Sequence, residues 1–185
     1  TAIYEGADAV MLSAESAAGS FPIEAVAMMN NVAISVEMDP TYREVIEASR
    51  RANRNSVADA IVAAAREIAE TTDIKAICCF TQTGTTVSLV ARERPRVPII
   101  ALTPLIGTAR RLCLTWGTHC VLTEEQERFK GAVIGAVRAA LSEGFATEKD
   151  QIVLTAGVPF NVQGTTNILR VAPCDERLIY RADPE

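Results

Sequence analysis

The stretch that decides the fold is Ile74-Lys75-Ala76-Ile77-Cys78-Cys79-Phe80, followed directly by Thr81-Gln82-Thr83-Gly84-Thr85-Thr86. The first seven residues are almost wholly apolar, which is typical of a strand buried on both faces. The next six are small and polar, and a helix is predicted to begin within them. A buried strand, a short polar turn and a helix in this order predict one unit of a parallel α/β sheet.

The alternation of strand and helix continues toward the carboxyl terminus. Further strands are predicted at Val97–Leu102, His119–Leu122, Ile152–Thr155 and Asn167–Val171, and helices at Thr85–Arg94, Pro104–Leu114 and Glu124–Glu143. Helical connections between strands make right-handed crossovers, so the first four strands should be parallel. Residues 156–166 show no helical pattern, so the fifth strand should be antiparallel. The predicted fold class is α/β, a three-layer α/β/α domain with a five-stranded, mostly parallel sheet.

Residues 1–40 have a different organisation. The apolar run Ala9-Val10-Met11-Leu12-Ser13 predicts a strand, and a helix is predicted from Pro22 until Asp39-Pro40 stops it. One strand and one helix do not bury both faces of the strand, so we expect this segment to be one β/α unit of a larger barrel. A charged helix or linker should follow, and Ser56 should cap a strong helix from Val57 to about Glu70.

Composition and charge narrow the functional classes. The chain has 185 residues, of which 49% are hydrophobic, and its formal net charge is −5, which argues against nucleic acid as the main partner. No apolar run approaches the roughly 20 residues that a transmembrane helix needs. The five cysteines form no Cys-x-x-Cys motif. They predict reduced, mostly buried thiols in a cytoplasmic protein, with a reactive thiol as the alternative.

The turn Thr81–Thr86 is a candidate phosphate site. It offers hydroxyl donors, a glycine that lets the backbone approach a ligand closely, and the N–H groups of a helix N-terminus. No Gly-Lys-[Ser/Thr] follows, so it is not a Walker loop and implies no phosphoryl transfer. Its position after a parallel strand favours a ligand site. The alternative from spacing alone is a threonine-rich turn that only caps a helix.

The loop 157–166 should emerge at the same edge of the sheet, because it also follows a parallel strand. Loops of this length without secondary structure are often functional, and this one could cover a ligand held at Thr81–Thr86. The alternative is a plain reversing loop.

Ser13, the isolated acidic residues and the single histidine are weaker candidates for catalytic or metal-binding roles. Ser13 and Glu15 could relay a proton, but in this segment alone helix capping and an exposed acid are favoured. Glu124-Glu125 is predicted to be a solvated helix start. His119 is the only histidine and has no companion ligands nearby in sequence, so a metal or catalytic role is disfavoured.

Three stretches together resemble one family. EGADAVMLSAESAAGSFPIEAV (5–26) resembles the last β/α unit of the pyruvate kinase catalytic barrel. DIKAICCFTQTGTTVSLVARERPRVPIIALTP (73–104) and IVLTAGVPFNVQGTTNILRV (152–171) resemble the first half and the end of that family's C-terminal domain. The resemblance implies a barrel remnant at 1–40 and an allosteric C-terminal domain at 41–185.

The resemblance also implies an activity. Pyruvate kinases transfer phosphate from phosphoenolpyruvate to ADP, need Mg²⁺ or Mn²⁺ and usually K⁺, and are typically homotetramers. The residues that bind these ions belong to earlier barrel strands, so this chain is expected to hold no metal and to be inactive alone. Its own role would be binding of a phosphorylated effector and oligomerisation. The alternative is a free-standing phospholigand-binding or oligomerisation module.

Site residues follow from the same resemblance. Ser13 and Glu15 match the serine and glutamate of the family's L-S-G-E-T motif, near the active site. The matches to the effector-phosphate loop are Thr81, Gln82, Thr83, Gly84, Thr85 and Thr86, and those to the covering effector loop are Gly157, Val158, Pro159, Gly164 and Thr165. Glu143 stands where members regulated by fructose 1,6-bisphosphate carry an arginine for a second phosphate, and it is expected to repel that phosphate. The effector loop also shows Val158-Pro159 where some of those members carry a Trp-Arg pair. A sugar monophosphate or AMP is therefore expected rather than the bisphosphate.

Overall fold

The computed structural model describes residues 1–49, 56–126, 128–160, 166–175 and 177. The chain divides into two compact units, Thr1–Ala52 and Asn53–Glu185. The sequence predicts a boundary between residues 40 and 41, whereas the helix that begins at Pro40 falls within the first unit. That the two units are a barrel remnant and a C-terminal domain stays a prediction.

The described residues of the first unit, 1–49, form three helices. They are α1 (Ala14–Ala17), α2 (Pro22–Glu37) and α3 (Pro40–Ser49). Tyr42 and Ile46 on α3 are buried, and the rings of Tyr42 and Tyr4 form a T-shaped pair with 6.2 Å between centroids. No residue of α2 is buried, although the helix is largely apolar.

The strand predicted at residues 9–13 is wrong. These residues form no β-ladder, and Met11 keeps 86% of its surface exposed. A strand is held by hydrogen bonds to a neighbouring strand. None of the described strands pairs with this segment, so its apolar pattern alone does not make it part of a sheet.

The second unit is a five-stranded sheet with helices on both faces. Its elements are α4 (Val57–Thr71), β1 (Ile74–Phe80), α5 (Thr85–Arg92), β2 (Ile99–Thr103), α6 (Ile106–Leu112), β3 (Thr118–Leu122), α7 (Phe129–Ser142), β4 (Gln151–Gly157) and β5 (Thr166–Pro173). The strand order is β3-β2-β1-β4-β5. The first four strands are parallel and β5 pairs antiparallel with β4, which confirms the predicted fold class.

Two apolar cores sandwich the sheet. Core residues between the sheet and α7 include Ala76, Cys78, Ile100, Leu102, Val133 and Val137. Core residues between the sheet and α4, α5 and α6 include Val62, Ile77, Cys79, Val87, Ile99 and Leu112. Alternate residues of β1 therefore enter opposite cores, which is why its sequence is apolar almost throughout.

The direction in which strands are added explains the layers. From β1 the chain adds β2 and then β3 on one side, and then returns to place β4 on the other side of β1. A right-handed crossover that reverses direction moves its helix to the opposite face of the sheet. This is why α7 lies alone on one face. The carboxyl ends of β1 and β4 thus become neighbours, and both candidate loops leave the sheet there.

One predicted helix boundary differs in a way that matters for the site. α7 begins at Phe129 rather than at Glu124. The N–H of Thr123 still donates to the carbonyl of Thr103 at 3.1 Å, so the backbone continues beside the sheet past the end of β3. Residues 124–126 consequently belong to neither a helix nor a strand.

None of the helices in the described ranges is long and apolar enough to cross a membrane.

All five cysteines are free thiols. Cys78 and Cys79 on β1 are fully buried, and desolvation raises the pKa of the Cys79 thiol to about 12 and that of Cys78 well above its ordinary value. Burial also raises the pKa of Cys174 to about 11. Cys113, at the end of α6, is exposed. Because the thiolate is the reactive form, burial and raised pKa act together against reaction.

We expect iodoacetamide at pH 8 to alkylate Cys113 in the folded chain while Cys78 and Cys79 react only after denaturation. The measurement is peptide mass spectrometry after timed quenching, with a sample in guanidinium chloride as the control for full reactivity. Alkylation of Cys78 or Cys79 at the rate of Cys113 under native conditions would contradict the buried placement of β1.

Candidate functional site

The turn between β1 and α5 is held by its own hydrogen bonds. The N–H of Thr81 donates to the carbonyl of Leu102 at 3.0 Å, which ties the turn to β2. The hydroxyl of Thr81 accepts from the N–H of Gly84 at 2.8 Å. Gly84 is the residue before the first turn of α5 and has φ +91°, in the left-handed region. A side chain there would also meet Leu112, whose Cδ2 lies 3.0 Å from the Cβ position.

The threonine hydroxyls of the turn fall into two groups. Those of Thr81 and Thr86 are buried and used internally, since Thr86 Oγ1 lies 2.6 Å from Thr166 Oγ1. Thr83 and Thr85 are exposed, and their hydroxyl oxygens are 3.0 Å apart. Whichever of these two donates, the other keeps a hydrogen for a ligand. The first N–H groups of α5 have no carbonyl partner within the helix. Hydroxyls and N–H groups together suit a phosphate.

A cavity of about 500 Å³ opens beside this turn. Its lining includes Thr81, Gln82, Thr83, Thr85 and Thr86 of the turn and Gly157, Phe160, Thr166 and Asn167 from the end of β4 to the start of β5. Its apolar wall includes Phe80, Leu89, Leu102 and Phe160. The rings of Phe80 and Phe160 meet edge to face, with 6.4 Å between centroids. The turn thus offers hydrogen-bond donors to the cavity, and the apolar wall offers contact for the body of a small ligand.

Acidic residues form a further part of the wall. Glu124, Glu125 and Gln126 line the cavity, and Gln82 Nε2 lies 3.4 Å from Glu125 Oε1. The prediction that Glu124-Glu125 starts a helix is therefore wrong, because α7 begins at Phe129. Both residues are solvent-exposed, as predicted, and they line the mouth of the cavity. None of the described lining residues is Lys or Arg.

The N-terminus of α4 also reaches the cavity, through Ser56, Val57 and Ala58. Ser56 is the predicted cap: its hydroxyl accepts from the N–H of Asp59 at 3.1 Å and donates to the Asp59 carboxylate at 2.6 Å. The Ser56 hydroxyl, followed by the Arg92 guanidinium, lowers the pKa of Asp59. The cap was visible in the sequence, but its place beside the turn was not, because α4 reaches the cavity only through packing.

The covering loop is only partly within the described residues. Gly157 lines the cavity, whereas Val158 and Pro159 do not. The amide of Asn167 braces Val158, accepting from its N–H at 2.9 Å and donating to its carbonyl at 2.7 Å. Gly164 and Thr165 lie outside the described residues.

Ser13 and Glu15 belong to the first unit, whereas the turn Thr81–Thr86 belongs to the second. The Glu15 carboxylate accepts from the N–H of Ser13 at 3.0 Å, and both residues are exposed at the start of α1. Backbone hydrogen bonds from Glu15 itself and from Ser13 lower the pKa of Glu15. In this chain the carboxylate caps a helix and is ionised at neutral pH. A catalytic role for the pair in a larger protein stays a prediction.

Glu143 does not face the cavity. It ends α7 at the amino edge of the sheet, opposite to the turn, and its Oε2 lies 2.9 Å from His119 Nε2. The prediction that Glu143 repels a second phosphate of the ligand is therefore wrong, and Glu143 gives no reason to prefer a monophosphate over a bisphosphate. Among the described residues, no group of three or more His, Cys, Asp or Glu side chains is placed to hold a metal ion.

Comparison with known proteins identifies what the chain is similar to. Residues 59–172 match the family model described as "Pyruvate kinase, alpha/beta domain". A pyruvate kinase of Methylorubrum extorquens is 45% identical over 172 residues, covering 93% of this chain and 36% of the relative. One from Agrobacterium vitis is 43% identical, covering 92% of this chain and 36% of the relative. The chain thus spans about a third of the length of these relatives.

A solved structure agrees with the sequence matches. Cryptosporidium parvum pyruvate kinase in complex with ADP superposes with a TM-score of 0.76 at 30% identity. The match covers 94% of this chain and 35% of that one.

We expect Gly84→Ala to lower the free energy of unfolding by about 1–3 kcal/mol, the usual cost of a left-handed non-glycine residue. Contact with Leu112 adds to that cost. The matched control is Gly107→Ala on α6, where a Cβ meets nothing within 4 Å and alanine favours the helix. Urea denaturation measures both variants, and equal stability of the two would contradict the described turn.

Proposed function

The chain belongs to the pyruvate kinase family, and we propose that its second unit is the effector-binding domain of a pyruvate kinase. The observation that carries the proposal is the cavity beside Thr81–Thr86, at the point where strand order reverses between β1 and β4. Open α/β sheets bind ligands at such points, outside the carboxyl ends of the strands. The exposed hydroxyls of Thr83 and Thr85 and the first N–H groups of α5 would hold the phosphate.

The remaining walls favour a ligand with a single phosphate. Glu124 and Glu125 would repel a second phosphate, and no described lining residue offers a cation to neutralise it. The same carboxylates accept hydrogen bonds from the hydroxyls of a sugar or ribose. The apolar wall around Phe80 and Phe160 suits a sugar face or a base. A sugar monophosphate or AMP is therefore the proposed effector class, in preference to fructose 1,6-bisphosphate.

For the whole enzyme we propose transfer of phosphate from phosphoenolpyruvate to ADP, the last step of glycolysis, by a cytoplasmic homo-oligomer, with a tetramer expected. Ser13 and Glu15 would contribute to the active site there. The described residues do not fit the Mg²⁺ or Mn²⁺ that this activity requires, because they contain no group of three or more His, Cys, Asp or Glu side chains placed to hold a metal ion. The activity usually requires K⁺ as well. These ions are assigned to other parts of the parent enzyme.

Calorimetric titration of the 185-residue chain tests the effector class. We expect AMP or glucose 6-phosphate to bind at least 10-fold more tightly than fructose 1,6-bisphosphate, a difference of about 1.4 kcal/mol. The double variant Thr83→Val, Thr85→Val removes both exposed hydroxyls and should weaken binding about 10-fold or more. The control is Thr71→Val at the far end of α4, whose hydroxyl donates to the carbonyl of Glu67. Tighter binding of the bisphosphate would refute the proposed class.

A coupled assay tests the assignment of catalysis to the rest of the parent enzyme. With phosphoenolpyruvate, ADP, Mg²⁺ and K⁺, we expect no pyruvate formation above background from this chain. A full-length relative in the same assay is the positive control. Turnover at the rate of that relative would overturn the proposal that this chain regulates rather than catalyses.

A further inference from the structure

Helix α6 contacts the backbone of the phosphate turn at three consecutive residues. The hydroxyl of Thr108 donates to the carbonyl of Gln82 at 2.6 Å. The guanidinium of Arg111 donates to the carbonyl of Thr83 at 2.5 Å. The side chain of Leu112 packs where a Cβ on Gly84 would lie. The first two contacts are hydrogen bonds to backbone carbonyls, and the third is a packing contact against Gly84. Side chains of α6 therefore contact residues 82, 83 and 84 of the turn.

These bonds determine where the N–H groups of the turn point. A trans peptide is planar, and its N–H is directed opposite to its carbonyl. With the Gln82 carbonyl turned toward α6, the N–H of Thr83 is directed away from α6. With the Thr83 carbonyl held by Arg111, the N–H of Gly84 is directed to Thr81 Oγ1, which accepts it at 2.8 Å. The hydrogen bonds from α6 thus set the orientation of both peptide groups at the tip.

The two α6 side chains differ from the groups that would touch a ligand. Neither Thr108 nor Arg111 lines the cavity. Thr108 is buried, with 5% of its surface exposed, and Arg111 Nη2 also lies 3.5 Å from its hydroxyl. The guanidinium carries a permanent charge, and a charged donor makes a stronger hydrogen bond to a carbonyl than a neutral one does. The pair is thus a small connected network behind the turn.

We propose that Thr108 and Arg111 are positioning residues for the phosphate of the ligand: by holding the carbonyls of Gln82 and Thr83, they orient the peptide groups of the turn before the ligand binds. This inference rests on the proposed function of the cavity. It predicts a particular pattern of loss. Both residues act on the phosphate position that the two ligands share. Loss of their hydrogen bonds therefore weakens the binding of AMP and of glucose 6-phosphate by the same factor and leaves the ratio of the two affinities unchanged.

The experiment is calorimetric titration of the 185-residue chain with AMP, glucose 6-phosphate and inorganic phosphate. Thr108→Val keeps the shape of the side chain but removes the hydroxyl, and Arg111→Gln removes the charge and the long donor. We expect each to weaken binding about 10-fold, as loss of one buried or charge-assisted hydrogen bond does. Thr108→Ser, which restores the hydroxyl, and Arg110→Gln, which alters the neighbouring exposed arginine, should stay within about twofold of the unmodified chain.

Amide hydrogen exchange of the ligand-free chain supplies a second readout. We expect faster exchange at Gly84 in Thr108→Val and in Arg111→Gln, because its bond to Thr81 loosens, and no change in Thr108→Ser or Arg110→Gln. Circular dichroism checks the fold of each variant. If Thr108→Val does not fold, the titrations and the hydrogen exchange of Arg111→Gln decide the question.

The outcomes separate the inference from the proposed function. If the unmodified chain binds a phospholigand and both loss variants bind it equally well, the positioning role is overturned and the effector site stands. A change in the ratio of AMP to glucose 6-phosphate affinity would assign Thr108 or Arg111 to direct recognition and overturn the positioning role. If the unmodified chain binds none of the three probes, the effector site and the inference built on it both fail.

Discussion

The site depends on one constraint, the right-handedness of the crossover between parallel strands. β2 and β3 are added on one side of β1 and β4 on the other, so the chain reverses direction once. At that reversal the connections that leave the carboxyl ends of neighbouring strands run to opposite faces of the sheet and leave a crevice between them. Every feature of the candidate site is arranged around that crevice: the phosphate turn after β1, Gly157 at the end of β4, and the acidic residues that follow β3.

Within the crevice the threonines have different physical roles. Thr81 and Thr86 satisfy buried partners and shape the turn, while Thr83 and Thr85 present hydroxyls to the solvent. The left-handed glycine between them allows Leu112 to pack directly beneath the backbone. The turn is therefore supported from β2, from α6 and from within itself. Because the turn is already ordered, a ligand that binds it loses less binding free energy to the ordering of the loop than it would at a flexible loop.

The local pattern of residues predicted most of the second unit. β1 and its turn were recognisable because a strand buried on both faces must be apolar throughout, and the antiparallel β5 followed from a connection too short and irregular for a crossover helix. Prediction failed where a segment needed a partner or a neighbour. Residues 9–13 have a strand pattern without a paired strand, and Glu124-Glu125 has a helix-start pattern although the helix begins only at Phe129.

The sequence by itself determined the family, the strand–helix alternation and the turn Thr81–Thr86, because each is encoded in contiguous residues whose polarity and backbone preferences act locally. Tertiary structure decided what surrounds that turn. Only the strand order brings Glu124 and Glu125 to the cavity and sends Glu143 to the opposite edge, and only packing sets α6 behind the turn. These placements arise from contacts between residues far apart in the chain, and spacing along the sequence carries no record of them.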